Sequence, residues 1–407
     1  MNRPYRIAMV HYHLQRGGVA RVIENALAGL DPDHVRTVIC SSEPAAEGLR
    51  ISPVLIAGEL AYGTPASDIA GLVEGVEEFL DGPPDLWHIH NHSLGKNIFV
   101  PGLVHELARR GRPMLLQMHD FAEDGRPDNY RYLREQLAFN ELDKLTEWLY
   151  PIGSHVHYAV LNGRDRRLLE QAGVPARRLH LLPNPVVAFE SPAGPATQTG
   201  RIRSILYPTR SIRRKNLGEF IFHAALAEPG ERYGLTLAPE NPAEIPAYQE
   251  WVHFARSLNL PVDFDLSRTS SFEALVESAD LLATTSMAEG FGLAFLESFM
   301  NGKPLVGRNL PEITAEFSEQ GVDLSDLYRR LNVPLDWVGR DAFRDRVRRR
   351  LKESYAAYGK PLSEDDVERA VAAAIEGDAI DFGRLDETLQ KKVIRRAVAE
   401  RPAGYQG

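Results

Sequence analysis

Along the chain, short apolar runs alternate with longer stretches whose apolar residues recur at helical spacing. Residues 6–13, Arg-Ile-Ala-Met-Val-His-Tyr-His, predict a buried strand. Gly17-Gly18 follows, and 19–30 carries Val19, Val22, Ile23, Ala26, Leu27 and Leu30 on one helical face. A second strand is predicted at 35–40. Strand, glycine turn, helix and strand make the βαβ pattern of a parallel sheet. The alternation continues with strands at 86–90, 114–118, 158–161 and 180–183, and helices at 72–80, 98–110 and 163–172.

Small residues, Pro and Gly dominate 189–201, which reads as a linker or surface loop. The pattern then restarts. Strands are predicted at 204–208, 233–238, 262–264, 281–285 and 304–307, and helices at 216–227, 247–258, 271–278 and 293–301. Two successive parallel α/β units follow from this order. From about 318 to 362 the chain is polar and helical in character. Its basic run Arg344, Arg346, Arg348, Arg349 and Arg350 reads as a solvated helix face. Ser363 with Asp366 reads as a capping box. A final helix at 386–399 places Leu389, Val393, Ile394 and Ala397 on one side and needs a surface to pack on.

Composition fits this division. At 407 residues the chain exceeds one ordinary domain. Hydrophobic residues at 43% and charged residues at 25% exclude a largely disordered chain. No apolar stretch has the length of a membrane span, no secretory leader is visible, and a cytoplasmic location is expected. A net charge of −9 argues against general nucleic-acid binding. The single cysteine, Cys40, excludes an intrachain disulfide and a multi-cysteine zinc site.

The most informative segment is 287–299, Met-Ala-Glu-Gly-Phe-Gly-Leu-Ala-Phe-Leu-Glu-Ser-Phe. It follows a predicted strand and opens a helix. Gly290 and Gly292 allow close backbone approach to a ligand. A helix beginning near Leu293 and Ala294 offers unpaired N–H groups to an anion. Glu297 lies one turn beyond Leu293 and could accept hydrogen bonds from two vicinal hydroxyls, as on a ribose. Glu289 precedes the turn. The second segment, 207–216, Tyr-Pro-Thr-Arg-Ser-Ile-Arg-Arg-Lys-Asn, follows the first strand of the second half and places Arg210 and Lys215 before a helix.

Two glutamates with seven residues between them around Gly-Phe-Gly resemble the motif of retaining glycosyltransferases of family 4. That resemblance implies the GT-B fold, two Rossmann-like domains facing each other across a cleft, with a C-terminal helix crossing back to the N-terminal domain. The expected domains are 1–190 with the helix 385–407, which binds the acceptor, and 200–384, which binds the nucleotide sugar and carries a helical extension at 318–365. Arg210 and Lys215 match the family's diphosphate-binding pair. Thr209 departs from its usual glycine, and Arg213 and Arg214 read as surface or domain-facing residues rather than catalytic ones. The donor-binding set is then Gly17, Gly18, Arg210, Lys215, Glu289, Gly290, Phe291, Gly292, Leu293, Ala294 and Glu297.

In the first half, Gly17-Gly18 resembles the family's N-terminal glycine loop. His119, at the end of a strand, matches the histidine near the transferred sugar, and with Glu289, Arg210 and Lys215 completes the implied catalytic set. His88, His90 and His92 alternate along a strand and invite a metal reading. Polar lining is preferred, since the resemblance implies a metal-independent reaction without a cofactor. Asn91, His92, Lys96, Asp120 and Tyr130 are acceptor-site candidates. Pro183-Asn184-Pro185 resembles the family's domain junction, and 121–132 reads as an acceptor loop or a plain surface loop.

The expected activity is transfer of a hexose, glucose or mannose, from a nucleoside diphosphate sugar to an acceptor hydroxyl with retention. The resemblance implies front-face attack, with the leaving phosphate taking the acceptor proton. A GT-B sugar-nucleotide epimerase and a non-catalytic sugar-nucleotide binder are the alternatives. The expected partners are the donor and a small soluble acceptor. Neither nucleic acid nor membrane is favoured as a partner, and the donor base and oligomeric state stay open.

Overall fold

The computed structural model describes residues 3–15, 17–65, 68–138, 142–186, 203–242 and 244–400. The expected linker at 189–201 lies outside them. The chain divides into two compact units, Met1–Pro185 with Ala357–Gly359, and Val186–Ala356 with Lys360–Gly407. No helix among the described residues is long and apolar enough to cross a membrane.

The first unit is a seven-stranded parallel sheet. Its strands are β1 (Tyr5–Val10), β2 (Val35–Ser41), β3 (Val54–Ile56), β4 (Leu86–His90), β5 (Met114–Met118), β6 (Val156–Val160) and β7 (Leu179–Leu181), in the order β3-β2-β1-β4-β5-β6-β7. β1 is covered on both faces. Ala8 and Val10 join one apolar cluster while Ile7 and Met9 join another. A parallel strand buried on both sides reads as an unbroken apolar run, which is how it stood out. Strand order reverses between β1 and β4, the kind of point where such sheets bind ligands at their C-terminal edge. Residues 127–137 are a helix, Pro127–Leu137, opened by a proline in its first turn, so 121–132 is only partly loop.

The buried polar residues of this unit include five histidines, His88 and His90 on β4 and His11, His92 and His119 beyond the C-terminal ends of β1, β4 and β5. His88 shares a 2.8 Å hydrogen bond with Gln117, and His90 one of 2.9 Å with His119. His92 bonds the carbonyl of Leu149 at 2.7 Å. No three His, Cys, Asp or Glu among the described residues are grouped to hold a metal ion. Burial, helped by neighbouring histidines, lowers His11 and His119 to about 3. Burial lowers His92 to about 4 against the pull of its carbonyl partner. The folded state therefore holds these rings neutral, while the unfolded chain protonates them near the ordinary 6.5. Between those limits the unfolded state binds more protons, so stability is full above pH 6.5 and is lost as pH falls toward the folded values. Chemical denaturation at a series of pH values should show stability falling below pH 6.5, with each ring contributing up to about 1.4 kcal/mol per pH unit. A flat profile between pH 6.5 and 5 would contradict neutral burial.

The second unit holds a six-stranded parallel sheet. Its strands are β8 (Ser204–Arg210), β9 (Arg232–Leu237), β10 (Val262–Asp263), β11 (Leu281–Thr284), β12 (Leu305–Arg308) and β13 (Leu327–Tyr328), ordered β10-β9-β8-β11-β12-β13. Three further strands, β14 (Asn332–Pro334), β15 (Ile375–Glu376) and β16 (Ala379–Asp381), make a small antiparallel sheet. The polar extension includes β14 and the helix Arg340–Ala357. The basic run on that helix is answered by acids: Arg344 reaches Glu368 at 2.6 Å, Arg348 reaches Glu364 and Arg346 reaches Asp386, both also at 2.6 Å. The Ser363–Asp366 capping box is formed in both directions.

The last helix corrects the expectation. Glu387–Ala399 belongs to the second unit, where Leu389, Val393, Ile394 and Ala397 complete the core that contains Phe222, Val338 and Phe382. Its cations add to that fit: Lys391 lies 4.9 Å over Trp251, Arg395 5.1 Å over Phe254 and Arg396 5.0 Å over Trp337. The piece of the C-terminal region that joins the first unit is instead Ala357–Gly359. There Tyr358 packs on Tyr130 with ring centroids 5.3 Å apart.

At the end of β12 Arg308 is buried with two carboxylates. Its guanidinium donates to Glu219 at 2.6 and 2.9 Å and to Asp381 at 2.8 and 3.2 Å. Burial works against the charge, but these bonds outweigh it and raise the Arg308 pKa. Arg308→Leu would leave two buried carboxylates uncompensated and should cost on the order of 3–5 kcal/mol in urea unfolding. A loss below about 1 kcal/mol would show that water reaches the site and relieves the charges.

Candidate functional site

In the second unit two loops beyond β8 and β11 meet. The loop after β8 closes with a single 3-10 turn, Arg213–Lys215, and Asn216 in the left-handed region at φ 50°. The turn is pinned from outside its own sequence. The Lys215 carbonyl accepts hydroxyl bonds from Tyr207 at 3.1 Å and Thr285 at 3.0 Å, and the Arg214 carbonyl accepts the Met287 N–H at 2.9 Å. The Asn216 amide donates to Glu219 at 2.8 Å and its oxygen accepts from Gln390 at 2.8 Å. Glu219 is the carboxylate gripped by Arg308, so the buried ion network reaches the residue next to Lys215.

These constraints hold Lys215 against Glu289 with Nζ and Oε1 2.5 Å apart, both side chains mostly shielded from water. Burial lowers the Lys215 pKa, and the adjacent Glu289 charge opposes that shift. Two residues on from Gly290 the chain enters the helix Leu293–Met300 through Gly292 at φ 86°. A side chain at Gly292 would be strained by that conformation, and its Cβ would come within 2.8 Å of the Phe295 ring. No side chain caps this helix, so its first N–H groups remain for an anion. Phe291 is buried against Phe317, and Glu297 is half-buried one turn further along. Arg210, at the end of β8, pairs with the exposed Glu240 at 2.6 Å, a contact of small worth in water. Arg213 and Arg214 are exposed, as expected. Thr209, the departure from the family pattern, is buried and its carbonyl accepts from Thr236 at 2.8 Å.

In the first unit Asn91 takes φ 55° at the end of β4, and its oxygen accepts the N–H groups of His119 at 2.7 Å and Asp120 at 3.1 Å. Asn91 thus positions His119 rather than standing open to a ligand. His92 and Tyr130, read as acceptor contacts, are buried in protein contacts. Asp120 holds Arg126 at 2.6 Å. Lys96 is half-buried, and its ammonium lies 5.1 Å over the Tyr62 ring. Gly17 and Gly18 are exposed at the start of the helix Gly18–Ala28, which also lacks a side-chain cap. The sequence reading missed Arg308, Glu219, Asn216 and Tyr62. Only Asn216 carried a local signal, since asparagine tolerates left-handed backbone.

No family model matches the chain. It is 27% identical over an alignment of 432 residues, 96% of this chain and 80% of the relative, to mannosylglucosyl-3-phosphoglycerate synthase of Petrotoga mobilis. Among solved structures it is similar to a glycosyltransferase from Rickettsia africae, with a TM-score of 0.56 and 13% identity over 98% of this chain and 100% of that one. HepE of Anabaena in complex with UDP-glucose matches with a TM-score of 0.53 and 16% identity over 97% of this chain and 93% of that one. By its fold and by this relative spanning nearly its whole length, the chain is a glycosyltransferase enzyme of the GT-B type.

Proposed function

We propose that the chain is a retaining glycosyltransferase of the family 4 kind, moving a hexose from a nucleoside diphosphate sugar to a hydroxyl of a small soluble acceptor. The observation that carries the reading is the Lys215–Glu289 pair, drawn from two loops and set before an uncapped helix N-terminus. Lys215 and Arg210 take the diphosphate, and the N–H groups opening the helix at Leu293 and Ala294 take a phosphate oxygen. Glu297 accepts from the ribose hydroxyls and Glu289 from the sugar. As the bond from the anomeric carbon to phosphate breaks, negative charge grows on the diphosphate. Fixed cations stabilise that state more than the bound ground state. The acceptor oxygen bonds to the anomeric carbon on the face the diphosphate leaves, and a diphosphate oxygen takes its proton. His119, held neutral in the first unit, is suited to hydrogen-bond a hydroxyl rather than to act as an acid.

The relative's product is a mannosylglucosyl-3-phosphoglycerate, which supports mannose or glucose as the moved sugar and an acceptor bearing acid groups. HepE with UDP-glucose supports a nucleotide-sugar donor. The reaction is written with no cofactor and no metal ion. UDP-, GDP- and ADP-hexoses should be offered with glucosyl-3-phosphoglycerate, and products read by mass spectrometry. Lys215→Ala and Glu289→Ala should each lower turnover about 10²–10³-fold, with thermal unfolding still cooperative. Full activity in both variants would contradict the reading. Epimerised free donor formed without acceptor would favour the epimerase instead.

A further inference from the structure

Lys96 is the least explained charge in the first unit. Its ammonium is half-buried over Tyr62, and among the described residues it makes no ion pair and no hydrogen bond. An ammonium has three donors, and partial burial removes water that would satisfy them. The neighbouring acid is already taken, because Asp120 is held by Arg126. Beside Lys96 stands a second polar pair, with the Tyr62 hydroxyl 2.8 Å from Nε2 of His13.

The backbone carrying Lys96 is built rather than loose. The Lys96 carbonyl accepts the Gly63 N–H at 2.7 Å, and the Asn97 amide donates to Leu60 at 2.9 Å and Ala61 at 3.0 Å. On the other side Asn129 donates to the Leu94 carbonyl at 2.8 Å. Gly95 sits at φ 73°, and a Cβ there would lie 2.5 Å from the Asn129 carbonyl oxygen. These bonds fix the loop so that a cation is held, partly desolvated, with no ion-paired acid among the described residues. A preorganised cation of this kind favours a ligand anion over water because the ordering cost is already met.

We infer that Lys96, with the Tyr62 hydroxyl and His13, forms the seat of an acidic group, a phosphate monoester or carboxylate, on the acceptor. The inference rests on the transfer reading above and assigns the acceptor's charged end to this corner. Lys96 supplies the charge and Tyr62 an O–H donor; the Nδ1 of His13 accepts the Gln15 N–H at 3.3 Å, so its Nε2–H donates to the Tyr62 oxygen and turns that hydroxyl outward to the ligand. Burial and the Lys96 charge lower the His13 pKa, and the Glu43 charge opposes that shift.

Calorimetric titration of the full chain with 3-phosphoglycerate, without donor, tests the assignment. The wild type should bind, Lys96→Met should weaken binding at least ten-fold, and Lys96→Arg should recover most of it. Unchanged binding in Lys96→Met, or no recovery in Lys96→Arg, would overturn the inference. So would Lys96-dependent flotation with phosphatidylglycerol vesicles in the absence of 3-phosphoglycerate binding, which would make the seat one for a lipid headgroup. Titration of the same variants with UDP- and GDP-hexoses should give wild-type affinity. Loss of nucleotide-sugar binding in the wild type itself would count against the transfer reading and not against the anion seat.

Discussion

A guanidinium buried with two carboxylates has to be matched bond for bond, because a charge left unpaired in the interior is far costlier than any single contact repays. Arg308 meets that demand by joining three parts of the second unit: the end of β12, the helix carrying Glu219, and Asp381 at the end of β16. Tyr328 adds a 2.8 Å bond to Glu219, and His223 a 2.7 Å bond to Tyr328. Through Glu219 the network fixes Asn216, and through Asn216 the turn that presents Lys215. The proposed donor site is therefore an exposed consequence of a buried electrostatic constraint. Its chemistry needs a cation held within a fraction of an ångström, and the network supplies the rigidity.

The first unit solves a related problem without ions. Its C-terminal sheet edge is lined by histidines, and burial keeps them neutral, so they pair by hydrogen bonds and ring stacking. His90 and His119 stack with centroids 5.2 Å apart. Asn91, in a left-handed conformation, orients the backbone of His119 and Asp120. A neutral, oriented His119 suits recognition of a hydroxyl. The charged work in this unit falls to Lys96, outside the histidine cluster.

Much of the architecture was legible because it follows from local periodicity. The strands Leu86–His90 and Met114–Met118 were read to the residue, since fully buried parallel strands are continuous apolar runs. The strand–turn–helix setting of Glu289 to Glu297 was legible for the same reason, with glycines marking the turn. What stayed hidden depends on long-range partners. Nothing near Arg308 in sequence announces Glu219 or Asp381, 89 and 73 residues away. The face of the last helix was identified, but an apolar stripe does not say which of two cores it joins. His92 and Tyr130 looked like cleft residues because polar and aromatic types in a loop suggest a ligand. Their partners, Leu149 and Tyr358, are distant in sequence and bury them. β3 and β14 are too short, at three residues each, to leave a periodic signal.

The central claim is that the turn bearing Lys215 and the loop bearing Glu289 together hold the diphosphate of a nucleotide sugar. Calorimetric titration of wild type and Lys215→Ala with UDP and GDP measures this with no acceptor needed. The account predicts that one nucleotide binds the wild type and that Lys215→Ala weakens it by ten-fold or more. Equal affinity in the two proteins would contradict it.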